Sequence, residues 1–149
     1  MSKNFWLAVS LCVSSIQADT LEVGRLLETM SLQDQFGKPQ RIESSRCSML
    51  LVTADRSAST RVKDFLQKRK GDFLQAHNAC FLVDIHAIPD FIKEWVVLPK
   101  MRKADYRIFL VTQPDVFPSK EDAITVLELG EKNRIRSVRY LEDPKELFR

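Results

Sequence analysis

Three short apolar runs, separated by segments with helical periodicity, constrain the fold of this chain more than any other feature. The runs are 48–53 (SMLLVT), 81–85 (FLVDI) and 107–112 (RIFLVT). Each has the length of one strand, and an unbroken apolar run is typical of a strand that is covered on both faces. Between the first two runs, Val62, Phe65 and Leu66 recur at helical spacing, which predicts an amphipathic helix. This alternation predicts an α/β domain: a mixed sheet with helices on both faces.

The two ends of the domain add antiparallel strands. Residues 30–42 contain two short extended segments around Gly37, and Pro39 restricts the second segment to an edge of the sheet. Residues 123–129 and 134–141 are predicted strands, and the four residues between them form a hairpin loop. A short final helix is expected after this C-terminal hairpin, because Asp143 can cap it and Pro144 suits its first turn.

A second helix is predicted to begin at Pro89, and Pro99 is expected to kink or end it. The apolar residues Trp95, Val96 and Val97 in this helix are more than a single helical stripe requires. We expect them to lie in the core, with an exposed apolar patch for a partner as the alternative.

The first eighteen residues have the three-part layout of a secretory signal peptide. Lys3 precedes the apolar run 5–13 (FWLAVSLCV), and the small or polar stretch 14–18 ends at Ala18. The apolar run is far shorter than the ~20 residues that span a bilayer. We therefore expect 1–18 to be a signal peptide and 19–149 to be an exported domain, periplasmic in a double-membrane bacterium. A buried N-terminal strand or helix is the alternative.

The charge balance excludes some classes of partner. The chain carries 23 Lys and Arg against 20 Asp and Glu, a formal net charge of +3. A nucleic-acid-binding protein normally has a stronger and more clustered basic excess, so we expect no nucleic-acid partner. No further segment is long and apolar enough to predict a membrane span. The basic runs 68–70 and 100–103 are interpreted as solvated faces, or alternatively as docking points for acidic partners or lipid headgroups.

Cys47 and Cys80 are the two cysteines that would remain after removal of the signal peptide. In an exported protein such a pair is a candidate disulfide. Each stands at the start of an apolar run, so parallel neighbouring strands would bring both thiols to one edge of the sheet. The alternative is two separate buried thiols that act as small hydrophobic groups. The sequence has no Cys-x-x-Cys motif and no Cys/His cluster, so we expect no metal site.

The order of elements from 30 to 149 resembles the thioredoxin fold in its exported, redoxin form. The segment 30–40 (MSLQDQFGKPQ) is similar to the N-terminal hairpin of redoxins, and 50–66 can be aligned with their strand, active-site and helix segment. Ser57-Ala58-Ser59-Thr60 then stands where the family carries Cys-x-x-Cys. Asp122 and Ala123 stand where it has a cis-proline before the closing hairpin. The resemblance implies a redoxin scaffold without its dithiol chemistry, because a hydroxyl cannot perform thiol–disulfide exchange.

The loop 53–60 (TADRSAST) is the candidate recognition site, because it leads from a strand end into a helix. Ligands of open α/β sheets bind at that edge, and helix N-termini attract anions. We expect the site to comprise Asp55, Arg56, Ser57, Ser59, Thr60, His86, Pro114, Phe117 and Pro118. Simple capping of the helix by Asp55 or Ser57 is the alternative. A relay of Ser57, His86 and Asp84 would require distances that a sequence does not give.

We expect a non-catalytic binding or adaptor module that recognises a protein partner, requires no cofactor and acts as a monomer or weak dimer. Two redox functions remain open as alternatives. One is a thiol oxidoreductase that uses Cys47 and Cys80, which would require close, accessible thiols of lowered pKa. The other is a flavin-binding redox protein, although the loop lacks the glycine that lets a backbone approach a phosphate.

Overall fold

A computed structural model describes residues 23–27 and 30–148, and the predicted signal peptide lies outside these ranges. Seven strands of the described residues form one mixed sheet. They are β1 (Met30–Asp34), β2 (Pro39–Ile42), β3 (Met49–Thr53), β4 (Ala79–Asp84), β5 (Ile108–Val111), β6 (Ile124–Leu129) and β7 (Ile135–Leu141). Their spatial order is β2-β1-β5-β4-β3-β6-β7.

The three apolar runs form the centre of this sheet. Strands β3, β4 and β5 are parallel, and Phe81 of β4 pairs with Leu51 on one side and Ile108 on the other. All three side chains are buried, as expected for strands that are covered on both faces. The hairpin β1–β2 is antiparallel to β5 at one side of this centre, and β6–β7 is antiparallel to β3 at the other. The mixed sheet predicted from the sequence is confirmed.

The two crossovers between the central strands contain the predicted helical segments. Helix α1 spans Arg56–Gln67, and the short helix α2 spans Phe73–Ala76. The helical structure is therefore interrupted around Gly71. The second crossover contains α3 (Asp90–Ile92), a π-helical turn (Lys93–Val97) and α4 (Leu98–Met101). These three pieces follow one another without interruption, and Pro99 lies inside the continuous helical segment 90–101, directly after the π-helical turn, so it does not end the segment. Pro144–Glu146 forms one 3-10 turn in place of the expected final helix.

The helices lie on one face of the sheet. Val62 of α1, Leu74 of α2 and Met101 of α4 belong to the same buried cluster, whereas the cluster on the other face contains no residue of these helices. Strands β3, β4 and β5 advance in one direction across the sheet, so two right-handed crossovers put both connections on the same side. The expectation of helices on both faces is therefore wrong for the described residues.

Trp95 is another correction to the sequence-based expectations. Its side chain is 82% exposed and that of Phe91 is 68% exposed, whereas Val97 and Leu98 pack against the core. A π-helical turn contains more residues than an α-helical turn, so the apolar stripe shifts along this segment. Trp95 therefore lies on the outer side of the crossover and not in the core.

The hairpin β1–β2 is held against β5 by one buried glutamine. The Gln35 side chain donates to the Tyr106 carbonyl and accepts from the Ile108 N–H, each at 2.8 Å. The turn at Gly37 is closed by Asp34, whose carboxylate accepts two backbone N–H groups. These contacts fix one wall of a cleft that is described below.

Candidate functional site

A disulfide joins Cys47 to Cys80 at the amino ends of two neighbouring central strands, with the two Cα atoms 5.3 Å apart. Cys47 lies two residues before β3, and its N–H donates to the Glu43 carbonyl at 2.7 Å. Cys80 is the second residue of β4 and pairs with Leu50 of β3. The parallel pairing of these strands explains why the two sulfurs meet at one edge of the sheet.

The disulfide lies in the wall of an open cleft of about 780 Å³. The hairpin β1–β2, the segment before β3 and the loop before β5 form its other walls. Both cysteines belong to the buried cluster on the helix-free face, and Cys80, at 9% exposed against 2% for Cys47, is the less deeply buried of the two. The charged side chains that line the cleft are Asp34, Lys38, Arg41, Arg46, Asp72, Asp105 and Arg107.

Two of the cleft cations are already paired. Arg107 lies 3.5 Å from the Asp34 carboxylate, and Arg41 lies 4.0 Å from that of Glu43. Arg46 directly precedes Cys47 and forms no ion pair with another residue in the described part of the chain. An unpaired guanidinium group therefore lines the same cleft as the disulfide.

The loop singled out by the sequence lies at the opposite end of β3. Asp55 is the N-cap of α1, and its carboxylate accepts from the Ala58 N–H at 2.8 Å and the Asp122 N–H at 2.9 Å. Burial raises the pKa of Asp55, but hydrogen bonds from Ala58, Ser57 and Asp122 outweigh burial, and the pKa lies below its ordinary value of 3.8. A charged carboxylate therefore occupies the N-terminus of α1, which disfavours a flavin phosphate there.

The Ser57 hydroxyl lies between two carboxylates. It contacts Asp55 at 2.9 Å and also hydrogen-bonds to the carboxylate of Asp122. His86 instead contacts Asp84, with 2.6 Å between Nδ1 and Oδ1. No hydrogen bond joins Ser57 to His86 in residues 30–148, so the structure does not form a serine relay.

Asp122 is the residue of this site that sequence reasoning missed. It has a φ of 57°, a left-handed conformation that aspartate tolerates better than most residues. Its carbonyl accepts a hydrogen bond from Arg61, which ties the loop before β6 to α1. At the position that the resemblance aligns with the redoxin cis-proline, this chain has a left-handed aspartate, and the Pro118 peptide bond is trans. Asp122 belongs to no sequence motif, so only the order of elements drew attention to this position, and nothing in the sequence indicated its contact with α1.

The other predicted residues of the loop are engaged within the helix. Ser59 is buried, and its hydroxyl hydrogen-bonds to that of Thr53 at 2.7 Å. Thr60 donates to the Arg56 carbonyl at 2.8 Å. Arg56 is exposed at the first position of α1. Ser59 therefore supports the junction between β3 and α1 and is not available at the surface.

The loop 114–118, which carries the predicted site residues Pro114, Phe117 and Pro118, contributes less surface than expected. Phe117, expected in the recognition site, is buried and packs in the cluster on the helix-free face, so its side chain is not available at the surface. The Pro118 carbonyl accepts from the Thr125 hydroxyl at 2.8 Å, and Pro114 is exposed. Among the described residues, no hydrogen bond or ion pair joins this loop or His86 to the Asp55–Asp122 cluster.

Neither a metal centre nor a membrane-spanning helix is found in the described ranges. No group of three or more His, Cys, Asp or Glu side chains there could hold a metal ion. The helices of residues 30–148 are all too short to cross a lipid bilayer.

Comparisons with known proteins identify the fold. Protein-family models and curated proteins give no match to this chain. A solution structure of a protein classed as a disulfide isomerase from Bacteroides thetaiotaomicron aligns with a TM-score of 0.54 and 14% identity, over 86% of this chain and 84% of that one. A thio-disulfide isomerase from Thermus thermophilus aligns with a TM-score of 0.51 and 12% identity, over 86% and 92% of the two chains.

A third similar structure is a peroxiredoxin-like protein from Aquifex aeolicus, with a TM-score of 0.50 and 9% identity, over 83% of this chain and 78% of that one. At these identities the likeness concerns the fold alone. It agrees with the order of elements and with the mixed seven-stranded sheet. The chain has a thioredoxin-like fold.

Proposed function

We propose that this protein is a thiol–disulfide redox protein whose reactive pair is Cys47 and Cys80. The observation that carries the proposal is the position of the disulfide in the wall of an open cleft of about 780 Å³. A substrate thiol can approach a sulfur only where the surface opens to solvent. The proposal agrees with the chemistry named for the two similar isomerases. In this proposal the reactive sulfurs do not lie at Ser57–Thr60, the segment aligned with the redoxin Cys-x-x-Cys motif, because that segment contains no cysteine.

The difference in burial between the two cysteines gives the exchange a direction. A thiolate of a dithiol substrate attacks Sγ of Cys80, the less deeply buried residue of the pair. A substrate–Cys80 disulfide forms, the Cys47–Cys80 bond breaks, and its electron pair stays on Cys47 as a thiolate. The second substrate thiolate then attacks the substrate sulfur and releases Cys80 as a thiolate. Two electrons pass to the protein, and the substrate leaves as a disulfide.

Arg46 is the cleft cation that adjoins Cys47 in the sequence. It precedes Cys47, lines the same cleft and forms no ion pair within the described residues. A nearby cation lowers the pKa of a thiol and so makes the thiolate a better leaving group. We therefore assign Arg46 a supporting role toward Cys47.

The proposed compartment is outside the cytoplasm. Residues 1–18 have the signal-peptide layout, and a disulfide persists in oxidising compartments. The domain 19–149 would then work in the periplasm of a double-membrane bacterium. Mass spectrometry of protein recovered from the periplasm tests this: a chain that begins at Asp19 is expected, and an uncleaved chain in the cytoplasm would contradict it.

Redox equilibration of the folded protein tests the redox proposal. The protein is incubated in glutathione buffers of graded potential, free thiols are trapped with a maleimide, and circular dichroism monitors the fold. We expect Cys47 and Cys80 to be reduced together and reversibly while the protein stays folded. Ser57→Ala should titrate like wild type, because Ser57 lies at the other end of β3. A disulfide that opens only upon unfolding would overturn the proposal.

A substrate assay separates redox activity from mere reducibility. Wild-type protein should oxidise a dithiol peptide, whereas a Cys47→Ala/Cys80→Ala variant of equal fold should not. Arg46→Gln should slow the oxidation and leave the fold unchanged, while Lys38→Gln serves as a matched control on the same cleft. Equal rates for wild type and the double variant would exclude exchange at these sulfurs.

A non-catalytic binding module is the second candidate function. It is favoured by the Ser57 hydroxyl between the Asp55 and Asp122 carboxylates, which gives an acidic, exposed surface at the redoxin active-site position. Such a surface suits a basic segment of a protein partner. Cross-linking in the periplasm tests this function. A partner that is lost in Ser57→Arg and retained in the double cysteine variant would favour it over redox exchange.

A further inference from the structure

A second cavity, of about 380 Å³, lies between α1 and the segment that follows α4. Its apolar lining includes Leu66, Met101 and Ile108, together with the half-buried Tyr106. Four basic side chains also line it: Lys63, Arg69, Lys100 and Lys103. Asp105 is the one acidic residue of the lining. The volume falls within the range of small-molecule sites, which begins at about 300 Å³.

The four basic side chains of this cavity outnumber Asp105, its one acidic lining residue. Lys63, Lys100 and Lys103 form no ion pair with any residue in the described ranges. The Arg69 guanidinium lies 3.3 Å from the centre of the Phe65 ring and donates to the Phe65 carbonyl at 2.8 Å. These contacts hold Arg69 in place, and the ion pairs of the described ranges do not include it.

Folding brings these like charges together from distant parts of the sequence. Burial lowers the pKa of Lys63 below its ordinary value of 10.5, and the nearby charges of Lys100 and Arg56 lower it further. Like charges that are held close repel one another, and the single carboxylate of Asp105 does not balance four cations. An anion in the cavity would remove this repulsion, so the arrangement favours an anionic occupant.

We propose that this cavity binds a small phosphate monoester that carries an apolar group. Several cations suit a dianionic phosphate better than a singly charged carboxylate. The surface formed by Leu66, Met101 and Ile108 would cover the apolar part of such a ligand. Neither cysteine lines this cavity, so the proposal does not depend on the redox function.

Calorimetric titration of the full chain with phenyl phosphate tests the proposal, with inorganic phosphate and benzoate as comparison ligands. Phenyl phosphate should bind more tightly than inorganic phosphate, which lacks the apolar group, and more tightly than benzoate, which carries less charge. Equal affinity for phenyl phosphate and inorganic phosphate would overturn the claim that the cavity also binds an apolar group. No detectable binding of phenyl phosphate at millimolar concentration would overturn the proposal as a whole.

Charge-removing variants locate the site. Lys63→Met and Lys100→Met should each weaken phenyl phosphate binding by about tenfold, the effect of one lost charge-assisted hydrogen bond. Lys68→Met is the matched control, because Lys68 follows α1, is exposed and does not line the cavity. Equal weakening by Lys68→Met would show a general charge effect and overturn the assignment. If Lys63→Met fails to fold, the loss of phenyl phosphate affinity can be measured in Lys100→Met, because Lys100 is exposed.

Discussion

The backbone N–H of Asp122 donates a hydrogen bond of 2.9 Å to the carboxylate of Asp55, which joins the loop before β6 to the first turn of α1. The same carboxylate caps the helix through the N–H of Ala58. One aspartate thus stabilises both a local structure and a contact between segments that are far apart in sequence.

Replacement of Asp55 should lower the stability of the protein and make that stability less sensitive to low pH. Asp55→Ala should reduce the free energy of unfolding at neutral pH by about 1 kcal/mol, and Asp55→Asn by less, because asparagine is also a good N-cap. The pKa of Asp55 is lowered in the folded protein, so its stabilising effect is complete above pH 3.8 and is lost as the pH falls through the folded value.

Urea unfolding at about pH 7 and about pH 3 measures this effect. The wild type should lose more stability between the two conditions than either variant, because both variants lack the carboxylate. An equal loss in all three proteins would contradict the role assigned to Asp55.

The buried hydroxyl pair of Thr53 and Ser59 should show strong energetic coupling. Thr53→Val or Ser59→Ala leaves the other hydroxyl without its partner, at a cost of about 1–3 kcal/mol. The double variant should cost less than the sum of the two single variants, because no orphaned hydroxyl remains. A double-mutant cycle from chemical denaturation measures the coupling, and additive costs would disprove it. Thr60→Val is the exposed control, with an expected change within about 0.5 kcal/mol.

Removal of the disulfide should destabilise the protein without unfolding it. Cys47 and Cys80 are separated by 33 positions, and loop-closure entropy for such a separation predicts a loss of about 3–4 kcal/mol in Cys47→Ala/Cys80→Ala. Strands β3 and β4 keep their five paired positions, so the fold should persist at room temperature. Guanidinium unfolding of wild type, with and without reductant, and of the variant measures this loss. Reduced wild type that proves unfolded in buffer would contradict the expectation.

The exposed tryptophan should contribute little to stability. Trp95→Ala should change the free energy of unfolding by less than about 0.5 kcal/mol, because its side chain is 82% exposed. Phe81→Ala, at a fully buried position of β4, should cost about 3–5 kcal/mol. Thermal and chemical denaturation compare the two variants. A large loss in Trp95→Ala would place this side chain in the core after all.

Local patterns were sufficient to predict the central strands and the start of α1. The apolar runs that became β3, β4 and β5 have the length and continuity of covered strands, which depend on neighbouring residues only. The face occupied by each helix depends on strand order, a property of the whole chain. The position of Trp95 depends on a π-helical turn that leaves no clear mark in the sequence.

The candidate sites show the same division. Capping by Asp55 was readable from the loop, because aspartate before a helix has a local role. The contact of Asp122 with Asp55 could not be predicted, since the two residues meet only when β6 lies beside β3. Likewise, Lys63 and Lys100 belong to different helical segments, and their shared cavity exists only in the folded chain.

The short strand β3 separates the sulfurs from Ser57, with five residues that extend over about 16 Å. A dye, a tether or an affinity handle attached at Ser57 would therefore stay clear of any molecule seated against Cys80. The protein could therefore be immobilised on a surface through position 57 while the reactions of Cys80 are followed at the opposite end of β3.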